Sequence, residues 1–98
     1  MKYYLVEVSY AAGHEQLAAV RNEHRAYVKT GFDKGMLLLA GAWSTKTGGM
    51  VVGKANSRDE IEEFFANDPF RKQRLADYRI IEFQPIMWQP TLGGEFGR

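Results

Sequence analysis

The sequence has no cysteine, only three prolines and a formal net charge of just +1 over its 98 residues. The absence of cysteine excludes disulfides and thiolate metal sites, and it fits a reducing compartment. The small net charge argues against a strong electrostatic attraction to nucleic acid or anionic membranes. No apolar run approaches the roughly 18 residues of a membrane span, and the alternating N-terminus does not have the pattern of a signal peptide. We therefore expect one cytoplasmic domain without a nucleic-acid or membrane partner.

The spacing of hydrophobic residues predicts a sequence of strands and helices in the order β-α-β-β-α-β. The predicted segments are a strand at 2–10, a helix at 14–34, a strand at 36–43, a turn at Thr45–Gly49, a strand at 50–55, a helix from Ser57 to about Asn67, a short helical piece after Pro69 and a strand at 78–88. This order is typical of a ferredoxin-like α+β fold, an antiparallel sheet with both helices on one face. We expect the domain to span residues 1–88. Residues 89–98 form a glycine-rich tail that does not hold structure alone.

The strand predicted at 36–43 is apolar on both faces, although a sheet covered on one side only should alternate. Leu5, and Ile80 or Ile81, also place apolar side chains on each side. An uncovered apolar patch usually marks an interface. The sequence therefore predicts a two-fold homodimer that packs through its open sheet faces. The alternative is that the C-terminal segment folds over its own sheet.

Two titratable residues are the main candidates for chemistry. His24 falls on the apolar stripe of the first helix, so its ring faces the core or a cleft. It is either a packed structural histidine or a general acid/base, and the second role needs a partner that fixes its tautomer. Asp68 directly precedes Pro69, and an aspartate cap followed by proline is a favourable start for a helix. A structural role alone would therefore explain this aspartate. The two roles are compatible, because a capping carboxylate can keep one oxygen for a histidine.

The sequence lacks the common motifs of nucleophilic hydrolases and of enzymes that bind metals or nucleotide cofactors. The sequence contains no serine elbow, no metal-ligand spacing and no dinucleotide fingerprint, and "TGG" at 47–49 lacks the context of a phosphate loop. His14 lies in a polar loop, and nothing in the sequence pairs it with His24 to bind a metal. The fold order is shared with RNA-recognition domains, but "MVVGKA" lacks their stacking aromatic residues. We expect no cofactor and no metal.

Several short motifs together resemble the YCII-related family. They are "MKYYLVEVSY" at the start, "EHRAYV" around His24, "GMLLLAG" at 35–41, "GG" at 48–49 and "DPF" at 68–70. Their order and spacing match over about residues 1–88. The family is similar to dimeric α+β barrel proteins, in which ferredoxin-like protomers pack through their sheets. The resemblance implies a site made of the first-helix histidine and the "DPF" aspartate, which are His24 and Asp68 here.

The resemblance also implies a small-molecule enzyme, since related folds carry out isomerase, lyase or dehalogenase chemistry on small ring compounds. In that role Tyr27 and Trp43, with Tyr10, would line an apolar pocket, and Arg71 would bind a carboxylate or phenolate. The alternatives are a small-molecule binding or sensing dimer without turnover, and a structural dimer in which the histidine and aspartate form a buried pair.

The chain departs from the family pattern at three places. The basic "RKQRLADY" follows "DPF", Ala42-Trp43 stands where a proline is common, and the tail after Trp88 is longer. Because of these departures, the resemblance predicts the fold of this chain better than it predicts the substrate.

Overall fold

The computed structural model describes residues 1–97, and Arg98, the last residue of the predicted tail, lies outside the described residues. The elements are strands β1 (Lys2–Tyr10), β2 (Leu37–Ala42), β3 (Gly48–Ala55) and β4 (Ala76–Phe83), helices α1 (His14–Asp33), α2 (Arg58–Ala66), α3 (Pro69–Lys72) and α4 (Gly93–Phe96), and a 3₁₀ turn at Pro90–Leu92. The order and the α+β class confirm the ferredoxin-like prediction.

The four strands form one antiparallel sheet in the order β2-β3-β1-β4. Along β1, Tyr4, Val6 and Val8 are buried while Leu5 is half-buried. Because successive side chains of a strand point to opposite faces, the buried set defines the face beneath the helices and Leu5 belongs to the open face. The alternation of residues 2–10 in the sequence predicts this division, with Tyr4, Val6 and Val8 on one side and Leu5 on the other.

The hydrophobic core lies between the helix face of the sheet and helices α1 and α2. Apolar side chains from the helices meet those of the strands there, among them Leu17, Val20, Ile61, Phe64, Phe65, Tyr4 and Val6. Each fully buried side chain of this size contributes about 1.5–3 kcal/mol relative to an exposed one. The hydroxyl of Tyr4 is buried in this core and has no hydrogen-bond partner within residues 1–97.

Two predicted boundaries were wrong by a few residues. The last strand spans Ala76–Phe83 and not 78–88, because Phe83 already pairs with Tyr3 and its partner strand β1 begins at Lys2. The hairpin turn lies before Gly48, since Gly48 and Gly49 already pair with β1 and belong to β3. At the start of α2 the Ser57 hydroxyl accepts a hydrogen bond from the Glu60 amide at 3.3 Å, as its spacing predicted.

The C-terminal segment folds back onto the open face of the sheet at one end. The Tyr3 hydroxyl donates to Glu95 Oε2 at 2.9 Å, and Lys54 Nζ donates to both carboxylate oxygens of Glu95. The Phe96 ring lies 5.2 Å from the Tyr3 ring. The short helix α4 is thus held by the sheet, while Leu39 on the same face remains 57% exposed.

Candidate active site

Asp68 lies at the junction between α2 and α3, where local sequence fixes its backbone. Its φ and ψ of −64° and 129° are extended, and Pro69 takes the first position of α3. Its Oδ1 atom accepts a hydrogen bond from the Phe70 amide at 3.1 Å, so the predicted cap is present. The residue is 0% exposed. A carboxylate at this depth needs strong partners, because burial without them is costly.

Two further donors reach the same carboxylate. His24 Nδ1 lies 2.7 Å from Asp68 Oδ1, and the Tyr78 hydroxyl donates to Asp68 Oδ2 at 2.6 Å. Burial, and then the hydrogen bond to Asp68, raise the pKa of Tyr78 above its usual 10.0, so its hydroxyl stays protonated and donating at neutral pH. With the Phe70 amide, the carboxylate has three donors from three parts of the chain, and this set compensates its burial.

The His24 ring is held in both position and orientation. Phe70 stacks on it with the centroids 3.9 Å apart and the planes at 2°, and the ring of Tyr10 meets Phe70 edge-on at 6.1 Å. An ionised carboxylate only accepts hydrogen bonds, so Nδ1 carries the proton of the neutral ring. Nε2 then presents a lone pair, and no residue within 1–97 forms a hydrogen bond with it. The arrangement is that of a general base with its orienting partner.

His24 and Asp68 line a cavity of about 260 Å³ between α1 and the β2–β3 hairpin. Its sheet side contains small residues of β2 and β3, among them Ala40, Ala42 and Gly49, beside larger ones such as Met50 and Val51. A Cβ atom on Gly49 would lie 2.2 Å from the carbonyl oxygen of Gly41, so no larger residue fits there. Pockets for drug-sized ligands measure about 300–1,000 Å³. This cavity therefore suits a smaller molecule, of about the size of one substituted ring.

The three predicted substrate-binding residues lie elsewhere. Tyr27 stacks on Phe64 and donates its hydroxyl to the Phe64 carbonyl at 2.5 Å. Trp43 is 41% exposed in the β2–β3 turn. The guanidinium of Arg71 lies over the Tyr78 ring at 5.6 Å. None of the three is among the residues that line the cavity.

Sequence reasoning missed Arg21, Arg25 and Tyr78. The first two line the cavity with His24 and Val28. Their spacing of three, four and seven residues along α1 places all four on one side of the helix, a signal that was present in the sequence. Tyr78 carried no such local signal, because its contact with Asp68 depends on the position of β4 in the sheet.

Within residues 1–97, no group of three or more histidine, aspartate or glutamate side chains is arranged to hold a metal ion. No helix in the same range combines the length and the apolar character needed to cross a membrane.

Fold and site together define a ferredoxin-like α+β protein with a buried histidine–aspartate pair beside a small cavity. The family comparison agrees: the model of the YCII-related domain matches residues 1–84, and the chain belongs to this family. No curated protein sequence matches the chain.

One solved structure with the same fold is 5-chloro-2-hydroxyhydroquinone dehydrochlorinase (TftG) from Burkholderia phenoliruptrix AC1100, in complex with 2,5-dihydroxybenzoquinone. The TM-score is 0.70 and the sequence identity is 23%. The match covers 83% of this chain and 92% of the dehydrochlorinase.

Proposed function

We propose that this protein is a small-molecule enzyme in which His24 and Asp68 perform general acid/base chemistry of the lyase, isomerase or dehalogenase type. The observation that carries the proposal is the 2.7 Å contact between His24 Nδ1 and the fully buried Asp68, at the wall of a cavity. A histidine–aspartate pair with a purely structural role needs no contact with a cavity and could lie deep in the core. Here, however, the side chain of His24 keeps 22% of its surface exposed.

The proposed reaction starts with neutral His24. Nε2 removes a proton from a carbon next to a carbonyl or an enol, and the electron pair of the broken C–H bond moves into the ring as a new π bond. In an elimination, a neighbouring bond such as C–Cl breaks, its electron pair leaves with chloride, and the imidazolium then gives its proton to water, so that HCl is lost in total and His24 is neutral again. In an isomerisation, the imidazolium returns the proton to another carbon. Asp68 stabilises the imidazolium in between, and such proton transfer contributes about 10²–10⁴-fold.

The dehydrochlorinase of the same fold supports the choice of substrate class. That enzyme removes HCl from a chlorinated, hydroxylated ring, as its name states, and its bound ligand is a six-membered quinone. A molecule of that kind has one ring and few substituents, and a cavity of about 260 Å³ suits that size. The reaction we propose needs no cofactor, because this chain supplies both the base and the group that orients it.

The test is turnover of a panel of chlorinated and unchlorinated hydroxyhydroquinones that includes 5-chloro-2-hydroxyhydroquinone. Chloride release and the ultraviolet spectrum report the reaction. We expect His24→Gln and Asp68→Asn to lose activity by at least about 100-fold. His14→Gln is the matched control, since His14 is an exposed histidine at the start of the same helix. Full activity in both site variants would sink the mechanism, and ligand-dependent thermal stabilisation without product would identify a binding module.

We also infer that the protein forms a homodimer through the open face of its sheet. Leu5 faces Val52 and Ile81 in the strand register, so three apolar side chains form a row on this face. Leu39 extends the row and is 57% exposed. A contiguous apolar surface of this kind is typical of an interface. The C-terminal helix α4 covers only the end of the face near Tyr3.

Light scattering coupled to size-exclusion chromatography tests the dimer. We expect a dimeric mass at micromolar concentration and a monomeric mass for Val52→Lys, whose charge would be buried in the interface. Lys29→Gln, which changes an exposed residue of α1, serves as the control. A monomeric mass for the unmodified protein contradicts the inference.

A further inference from the structure

Two arginines lie in the wall of the cavity beside the proposed base. Arg21 and Arg25 are three residues before and one residue after His24 on α1, and all three side chains line the cavity. Arg21 is half-buried and Arg25 is exposed. The helix therefore presents two guanidinium groups and one imidazole to the same small space.

These arginines are not neutralised by the parts of the protein described here. Within residues 1–97, neither guanidinium group has a hydrogen-bond, ion-pair or aromatic partner. By contrast, Arg58 pairs with Glu62 and Lys54 pairs with Glu95. Among residues 1–97, the only carboxylate that lines the cavity is Asp68, whose oxygens already accept from His24, Phe70 and Tyr78. The wall of the cavity thus has an excess of positive charge.

We propose that Arg21 and Arg25 bind negatively charged oxygen atoms of the substrate, so that the substrate is a ring-sized organic anion such as a phenolate, enolate or carboxylate. The proposal rests on the proposed function, because it assigns the substrate class of the same site. A guanidinium presents donors in a planar fork that matches two oxygen atoms. The anionic end of the substrate lies at the arginines, and the carbon that loses its proton lies at His24.

The arrangement also has a consequence for the reaction. Removal of a proton from a carbon next to a carbonyl places negative charge on the carbonyl oxygen. Fixed positive groups that face the developing charge stabilise the transition state more than the ground state. The two arginines therefore act in binding and in stabilising the enolate, whereas His24 moves the proton.

Isothermal titration calorimetry with two matched probes tests the assignment. The first probe is 2,5-dihydroxybenzoquinone, which is acidic and anionic at neutral pH. The second is its neutral 2,5-dimethoxy ether. We expect the unmodified protein to bind the anion at least about tenfold more tightly than the ether. A lost charged hydrogen bond weakens affinity by about ten- to 100-fold, so Arg21→Gln and Arg25→Gln should each weaken anion binding by that factor and leave ether binding unchanged.

Two controls keep the result interpretable. Lys29→Gln removes a positive charge from the same helix outside the cavity and should bind the anion as the unmodified protein does. Arg21→Lys keeps the charge but not the planar fork, so it should bind the anion more tightly than Arg21→Gln and more weakly than the unmodified protein, an order that a merely structural role of Arg21 would not explain. Equal affinity for anion and ether, no binding of either probe at millimolar concentration, or arginine variants that match Lys29→Gln would each overturn the proposal.

The assignment of the arginines and the proposed acid/base role of His24 can fail independently of each other. His24→Gln should abolish turnover and still bind the anion, because both arginines are intact. If the arginine variants bind the anion normally while His24→Gln loses turnover, only the assignment of the substrate class fails. If they lose the anion while His24→Gln keeps full turnover, only the acid/base role fails.

Discussion

Replacing Asp68 with asparagine removes one negative charge from the centre of the site and keeps the shape of the side chain. Oδ1 accepts from the Phe70 amide at 3.1 Å and faces His24 Nδ1 at 2.7 Å, so the amide oxygen of asparagine takes that position. The amide nitrogen then faces Tyr78, whose hydroxyl can turn from donor to acceptor. All three hydrogen bonds survive, and the substitution therefore tests the charge alone.

The expected effects on stability and on turnover differ in size. Hydrogen bonds with a charged partner contribute about 1.5–3 kcal/mol and neutral ones about 0.5–1.5 kcal/mol. Three bonds thus lose roughly 1 kcal/mol each, while the desolvation cost of a fully buried carboxylate, several kcal/mol, disappears as well. We expect a net change of less than about 2 kcal/mol in the free energy of unfolding. Turnover should fall about 10²–10⁴-fold, which raises the barrier by about 3–5 kcal/mol.

Urea denaturation and chloride release measure the two effects on the same preparation. Asp68→Ala is the contrasting variant: it deletes the cap and leaves the Phe70 amide and the Tyr78 hydroxyl without an acceptor, at a cost of about 3 kcal/mol or more. Asp68→Asn with the turnover of the unmodified protein would refute the reasoning. So would a variant whose stability falls by more than about 4 kcal/mol while each folded molecule keeps its activity.

Three further predictions concern other residues. The pKa of Tyr78 is higher in the folded protein than its unfolded value of 10.0, so above that pH the unfolded chain releases a proton that the folded chain keeps. This contribution to stability is fully present below pH 10 and is lost by about 1.4 kcal/mol per pH unit above it. In urea denaturation at about pH 9 and 11, Tyr78→Phe should show a smaller slope than the unmodified protein; the remaining slope comes from Tyr4 and Tyr27, because burial raises the pKa of both. Tyr4→Phe should raise the free energy of unfolding by about 1–2 kcal/mol, because the buried hydroxyl has no partner within residues 1–97; a fall would show that it has one. Ala42→Leu should fill the cavity and abolish calorimetric binding of 2,5-dihydroxybenzoquinone while circular dichroism stays unchanged, whereas retained binding would place the ligand elsewhere.

The local features of the site were readable from the sequence. The cap at Asp68 depends on two adjacent residues, and the inward direction of His24 depends on the apolar residues one turn away on the same helix. Both are set by contacts within a few positions of the chain. The pairing of the two residues was different: spacing alone did not reveal it, and only the family resemblance suggested it.

The arginines show a limit of the same reasoning. Arg21 and Arg25 do not belong to the apolar residues that define the inward stripe of α1 in the sequence. In the structure they lie beside His24, because the small residues of β2 and β3 leave space between the helix and the sheet. Trp43 was expected to line the pocket of an enzyme, but it lies in the β2–β3 turn and is not among the residues that line the cavity.

The sequence by itself determined the element order, the two faces of β1 and the helix start at Asp68, because these features depend on periodicity and on neighbours along the chain. The tertiary structure decided which side chains meet. His24 and Asp68 are separated by 44 residues, and Tyr78 reaches the same carboxylate from an edge strand. Hydrophobic periodicity determines which side of each helix or strand is buried. Only the packing of α1 and α3 against the ordered strands brings their polar groups within hydrogen-bonding distance.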